Sequence, residues 1–146
     1  MRKFEIVTLF KDQGINIPKR ATKHSAGYDI ESAKDYTIKP GEIQMIDTGL
    51  KVDMKENEAL MIYPRSSLGL KKGLIMSNAV GIIDKDYYNN PNNEGHIMIP
   101  LYNFGKVDAI VLKGERVAQG IFQNYLVTSD DDATNERTGG FGSSGK

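Results

Sequence analysis

A chain of 146 residues suits one compact domain, a size at which folding buries roughly 70% of the unfolded surface without covalent staples. Nineteen basic and nineteen acidic residues cancel, which removes the overall field that draws proteins to nucleic acid or to anionic membranes. With no cysteine, a disulfide framework, a thiolate nucleophile and a thiolate metal site are excluded, and the composition suits a reducing, cytoplasmic setting.

The chain starts MRKFEIVTLFKD, two basic residues before an apolar stretch that Glu5 and Lys11 bound too closely for a signal peptide. No run approaches the roughly 18 apolar residues of a membrane helix. Apolar or alternating segments follow at 4–10, 36–38, 43–52, 59–63, 73–83, 96–104, 109–112 and 116–127. Most are too short for helices and rich in Ile, Val, Tyr and Phe, so they predict strands. Turn signals separate them: Pro40-Gly41, Asp47-Thr48-Gly49, Lys72-Gly73, Asn89 to Asn93 around Pro91, Phe104-Gly105-Lys106 and Lys113-Gly114. Strands at this spacing predict an all-β sandwich or barrel over residues 1–127. The one helix candidate is brief, at 64–70, where a serine can cap and Gly69 limits extension. From Thr128 onward the chain holds a single large apolar residue, Phe141, too little to order by burial within its own chain.

Three segments carry candidate chemistry. In PRSSLG (64–69) a strand delivers Arg65, Ser66 and Ser67 to the start of a short helix; a guanidinium, hydroxyls and free amides suit an oxyanion or phosphate, although serines there also serve as plain caps. In GIIDKDYYN (81–89) two isoleucines run into Asp84, placing that carboxylate at the end of a buried strand. Continued strand parity would put Asp86 on the face of Asp84 and Tyr87 opposite, so parity assigns no roles. In RVAQGIF (116–122) Gln119 interrupts an apolar strand, where an unpartnered amide costs about 1–3 kcal/mol. His24 and His96 are far apart and read as surface or hairpin residues, not as metal ligands.

Taken in order, AGYD (26–29), PRSSLG (64–69), NAVGIIDKDY (78–87), GERVAQGIF (114–122) and RTGGFGSSGK (137–146) resemble the five motifs of the homotrimeric dUTPase family, bacterial or phage type. The similarity runs from about Ala26 to the last residue at close to the family spacing. It implies a distorted jelly-roll trimer with active sites shared between subunits, in which dUTP is hydrolysed to dUMP and pyrophosphate. Asp84 would activate the water that attacks the α-phosphorus. Tyr87 would stack beneath the deoxyribose and leave no room for a 2′-hydroxyl. Asn78 and the backbone near Met98 would read the uracil edge. Arg65, Ser66, Ser67 and Gln119 would contact phosphates, and Asp29 would lie near Mg²⁺ through water, the ion sitting mainly on substrate phosphates. Residues 128–146 would form a mobile arm closing over a neighbouring subunit's site, with Phe141 on the uracil and Arg137, Gly142, Ser143 and Ser144 over the phosphates.

Three departures from the family pattern stand out. One residue fewer separates Arg137 from Gly139, which puts the reach of Arg137 to the phosphates in question. NNPNNE (89–94) intervenes between Tyr88 and Gly95, as a harmless bulge or as a contact surface for a protein partner. Ser67 stands where glycine is frequent. Within the same superfamily, dCTP deaminases share the fold and an Arg-Ser-Ser motif but need a glutamate on the strand after the hairpin, and HIMIPLYNF contains none. A non-catalytic β-sandwich binding protein is the remaining alternative.

Overall fold

The computed structural model describes residues 1–140. Its strands are β1 (Lys3–Ile6), β2 (Lys19–Arg20), β3 (Tyr28–Glu31), β4 (Tyr36–Ile38), β5 (Ile43–Asp47), β6 (Leu50–Asp53) and β7 (Glu58–Pro64). After helix α1 (Ser66–Lys72) come β8 (Leu74–Met76), β9 (Gly81–Asp84), β10 (Met98–Asn103), β11 (Ala109–Val111) and β12 (Arg116–Asn124). A five-stranded antiparallel sheet runs β2-β3-β12-β7-β9, and a three-stranded sheet runs β5-β10-β8. Two ribbons, β1-β6 and β4-β11, complete the described fold.

The alternation expected of half-buried strands places the core between the two larger sheets. Ile30, Leu60, Ile62 and Val117 from the first meet Ile46, Leu74, Met76, Ile99 and Leu101 from the second in one continuous cluster. Each fully buried side chain of this kind contributes about 1.5–3 kcal/mol. The all-β, jelly-roll-like architecture agrees with the sequence pattern.

Several local expectations are corrected. The apolar run at 4–10 is strand only to Ile6 and then turns as a 3-10 helix over Thr8–Phe10. The segment YDIE, which lies outside the apolar runs, is β3. Helix α1 continues beyond Gly69 to Lys72, where Gly73 ends it in the left-handed region (φ 65°) with its N–H bonded to the Leu68 carbonyl. No serine caps it: Arg65 holds the cap position and makes no capping side-chain bond.

Candidate active site

Register across the five-stranded sheet assembles the first group of site residues. Gln119 on β12 pairs with Asp29 on β3 and with Tyr63 on β7. Arg65 follows the end of β7, so the strand order alone brings Asp29, Gln119 and Arg65 to one edge. Arg65 Nε lies 3.5 Å from Asp29 Oδ1, and Arg116 Nη1 lies 3.5 Å from Oδ2 of the same carboxylate. Gln119 is half-buried, not fully enclosed as its apolar strand suggested, and its Nε2 donates to the Pro64 carbonyl at 3.2 Å. Gly27 explains why the amide fits: a Cβ there would stand 2.4 Å from Gln119 Oε1. Ser66 and Ser67 flank this edge on the first turn of α1, Ser66 exposed. Two guanidiniums around one carboxylate leave net positive charge, which suits an anionic ligand.

The second group gathers at the far end of β7. Asp84 ends β9 and pairs with Ala59. Its backbone then leaves the strand for a 3-10 turn over Lys85–Tyr87. In such a turn residues three apart eclipse one another, which brings Tyr87 round toward Asp84, where continued strand parity would have put it opposite. The carboxylate of Asp84 is not buried as the preceding isoleucines implied. It is 51% exposed, because alternation along β9 turns Gly81 and Ile83 inward and Ile82 and Asp84 outward.

Tyr87, by contrast, is 6% exposed. Its hydroxyl donates to the His96 carbonyl at 2.7 Å and accepts from Asn93 Nδ2 at 2.8 Å. Burial pushes its phenol above the ordinary range. His96 is buried, not a surface residue; its Nε2 accepts the Gly49 N–H at 3.0 Å, and burial lowers its pKa. Asn78 is exposed on the turn between β8 and β9. Leu101 pairs with Met76 and the Ser77 N–H bonds the Pro100 carbonyl, so continuation of that ladder sets Asn78 opposite the Met98 end of β10. Asn78, Met98 and Tyr87 thus border the same stretch, the entry to β10.

The arm returns to this second group. Arg137 Nη2 donates to Asp84 Oδ2 at 2.7 Å, its Nε to Asp86 Oδ1 at 2.6 Å, and its Nη1 to the Gly139 carbonyl at 3.1 Å. The hydrogen bond it donates to Asp86 is the main reason its pKa is raised. Gly139 is buried, and Gly140 sits so close to the Tyr87 ring that a Cβ there would meet Cε1 at 2.5 Å. The segment therefore orders from Arg137 to Gly140 by charge and close backbone contact, although apolar burial is missing. Residues Thr128 to Glu136 remain exposed. Phe141, Gly142, Ser143 and Ser144 lie outside the described residues. An open cleft of about 590 Å³ borders Asp84, Asp86, Tyr88, Tyr125 and Arg137.

The two groups do not meet within one chain. Five residue steps of β7 separate Ala59, the partner of Asp84, from Pro64, the residue before Arg65. At about 3.3 Å per residue that is roughly 16 Å of strand, whereas groups acting on one reacting atom must converge to about 3–3.5 Å. Sequence reasoning missed Arg116 and Asp86 as members of the site, although both lie inside the quoted motifs; their partners, Asp29 and Arg137, are 87 and 51 positions away and only the fold brings them close.

The described fold is a β-sandwich with a positively charged edge at one end of β7 and a carboxylate beside a buried tyrosine at the other. Comparison with known proteins identifies the family. The dUTPase family model matches residues 13–145. The deoxyuridine 5'-triphosphate nucleotidohydrolase of Lactococcus lactis is 55% identical over 147 aligned residues, covering 99% of this chain and 98% of that protein. The enzyme of the same name from Rickettsia prowazekii is 41% identical, covering 89% and 88%. Among solved structures, dUTPase from Streptococcus mutans superposes with a TM-score of 0.83 at 44% identity, over 87% of this chain and 98% of that one. Staphylococcus bacteriophage 80alpha dUTPase shares the fold at 20% identity and a TM-score of 0.75. The chain belongs to the dUTPase family of hydrolases.

Proposed function

We propose that this chain hydrolyses dUTP to dUMP and pyrophosphate in a homotrimer whose sites are shared between subunits. The observation that carries this reading is the separation of its two halves along β7. Each half is chemically coherent and neither is sufficient, so a second copy must bring its Arg65 edge to the Asp84 end.

Asp84 accepts a proton from a water aimed at the α-phosphorus; the new P–O bond forms as the bond to the pyrophosphate oxygen breaks. An exposed carboxylate suits this task because the water reaches it from solvent. Tyr87, fixed from behind by its hydroxyl, presents its ring to the deoxyribose and excludes a 2′-hydroxyl. Asn78 and the backbone at Met98 read the uracil edge. The neighbouring chain contributes Arg65, Arg116, Ser66, Ser67 and Gln119 to offset phosphate charge. Asp29 is a single carboxylate between cations, and no group of three acidic or histidine side chains forms a cage among the described residues. That donor set fits Mg²⁺ taking most ligands from phosphate and water. When bound, the ion neutralises triphosphate charge.

Residues 128–146 act as an arm closing over a neighbouring subunit's site. Arg137 here holds the carboxylates of its own chain, and on closure phosphate oxygens replace them as its partners, with residues 141–144 completing the cover. Removal of dUTP limits uracil incorporation into DNA, and dUMP supplies thymidylate synthesis. A cytoplasmic location fits this role, and no described helix is long and apolar enough to cross a membrane. The test is pyrophosphate release from dUTP, UTP, dCTP and dTTP with Mg²⁺, with size measured by light scattering. Selective release from dUTP by a trimer is expected; ammonia from dCTP, or no hydrolysis, would sink the proposal.

A further inference from the structure

The six residues between Tyr88 and Gly95 do not project as a bare loop. They fold inward onto the tyrosine beside the base-reading end of the site. Asn90 is 5% exposed. Its Oδ1 accepts the N–H groups of Asn92 and Asn93 at 3.0 and 3.1 Å, and its Nδ2 donates to the Tyr87 carbonyl and to Asn93 Oδ1, both at 2.8 Å. Asn93 Oδ1 also accepts the Gly95 N–H at 3.1 Å. With its oxygen fully used, Asn93 has its Nδ2 left to aim at the Tyr87 hydroxyl, 2.8 Å away. That hydroxyl spends its own proton on the His96 carbonyl. At the end of the insertion, Glu94 pairs with the largely buried Lys51 at 2.7 Å and accepts the Thr8 N–H, which anchors the loop to the body of the fold. Gly95 adopts φ 86°, and a Cβ there would stand 2.7 Å from the Tyr87 carbonyl, so the loop closes hard against the tyrosine backbone as well.

We propose that Asn93 is a positioning residue that sets the sugar selectivity of the site by locking the Tyr87 ring in place. This rests on Tyr87 facing the deoxyribose, as argued above. A ring excludes one hydroxyl group only if it holds its position to within a fraction of that group's size, and displacements of about 1 Å are enough to change rates by about 100-fold. A phenol with both donor and acceptor capacity satisfied cannot swing aside without leaving a buried polar group unpaired. The insertion therefore acts as an internal brace for substrate discrimination.

The test compares kcat/KM for dUTP and for UTP, with Mg²⁺, in full-length wild type, Asn93→Ala, Tyr87→Phe and the double variant. The expected result is a fall of about tenfold in the dUTP/UTP ratio for either single variant, carried mainly by a rise in kcat/KM for UTP. The double variant should fall no further than Tyr87→Phe, because that change already removes the bond from Asn93 along with the one to the His96 carbonyl. A purely structural brace lowers the thermal midpoint and depresses both substrates alike; an unchanged ratio with that pattern overturns the proposal. Should Asn93→Ala fail to fold, Tyr87→Phe leaves every other bond of the loop intact, and a wild-type ratio in that variant overturns the proposal by itself. Wild-type enzyme that hydrolyses dUTP and UTP equally would instead refute the reading of Tyr87 on which the inference stands.

Discussion

The two ends of β7 solve different problems with different materials. At the Pro64 end, charge is concentrated and loosely held: Arg65 and Arg116 stand 3.5 Å from Asp29, at the long edge of ion pairing, and the Arg116 side chain is 51% exposed. At the Ala59 end the groups are tightly tied: Tyr87, Asn90 and Asn93 form a closed hydrogen-bond network, and Arg137 bridges two carboxylates at 2.6 and 2.7 Å. Loose cations can follow phosphates that shift during reaction, whereas recognition of a base and a sugar needs fixed walls. The difference teaches that one half is built for charge and the other for shape.

The largest effect should come from the carboxylate that joins both tasks. Asp84→Asn keeps the shape of the fixed half and removes the proposed base, so kcat should fall by about 10²–10⁴ with circular dichroism unchanged. Turnover within threefold of wild type would show that Asp84 is only a partner for Arg137. Nearly as large is the loss expected on removing residues 136–146. Turnover should drop by about 100-fold while the fold and the proposed trimer persist, since every described strand ends by Asn124. Full activity in this truncation would refute the lid.

Arg65→Ala strikes the charged half alone and should lower kcat/KM for dUTP by about 10²–10³. Its sharper use is in combination. Two inactive proteins, Arg65→Ala and Asp84→Asn, mixed and refolded together, should recover activity, because about a quarter of the sites then draw an intact half from each chain. Mixed trimers, verified by two affinity tags, that stay inactive would place both halves in one chain and overturn the shared-site reading. A gentler probe of the same half is Gly27→Ala. Its Cβ would overlap Gln119 Oε1, so Gln119 must leave its bond to Pro64, and kcat/KM should fall by about tenfold through KM. An unchanged KM would remove Gln119 from the phosphate edge.

The contrast between the halves also explains what could be read from the sequence. Strand positions were legible wherever Gly, Asn or Pro broke an Ile/Val-rich run, as at Thr48-Gly49 and Lys72-Gly73. Asp29, Gln119 and Arg65 could be grouped from their motifs because the first two lie on paired strands and Arg65 directly follows the end of β7. The fixed half was not. A 3-10 turn replaced the strand at Lys85 and defeated parity, and the outward turn of Asp84 depended on which of two adjacent isoleucines faced the core. Asn90 and Asn93 looked like ordinary turn formers, since nothing local to NNPNNE distinguishes an amide that points outward from one that points at Tyr87. Pairings such as Arg137 with Asp86 depend on chain return across 51 positions, and apolar content, the signal used for the arm, carries no information about them.

The smallest effect should distinguish the halves by pH. His96 is buried in the fixed half, and desolvation lowers its pKa from the ordinary value; the charged half holds no buried imidazole. A depressed folded-state pKa means that, as pH falls below about 6.5, the unfolded chain binds a proton that the native chain resists. Stability is therefore complete above that pH and declines as pH drops through the window beneath it. This window lies above that of Glu5, Glu58 and Glu94, whose pKa values are lowered by their cationic partners and whose contributions are lost only in stronger acid. Urea midpoints should fall between pH 7.5 and 5.5 in wild type, and the slope should flatten in His96→Gln, which retains an acceptor for the Gly49 N–H at some cost in overall stability. The His96 carbonyl holds the Tyr87 hydroxyl, so discrimination against UTP should weaken over the same window while Arg65-dependent phosphate binding does not. Equal pH slopes in wild type and variant would assign the acid sensitivity to other groups.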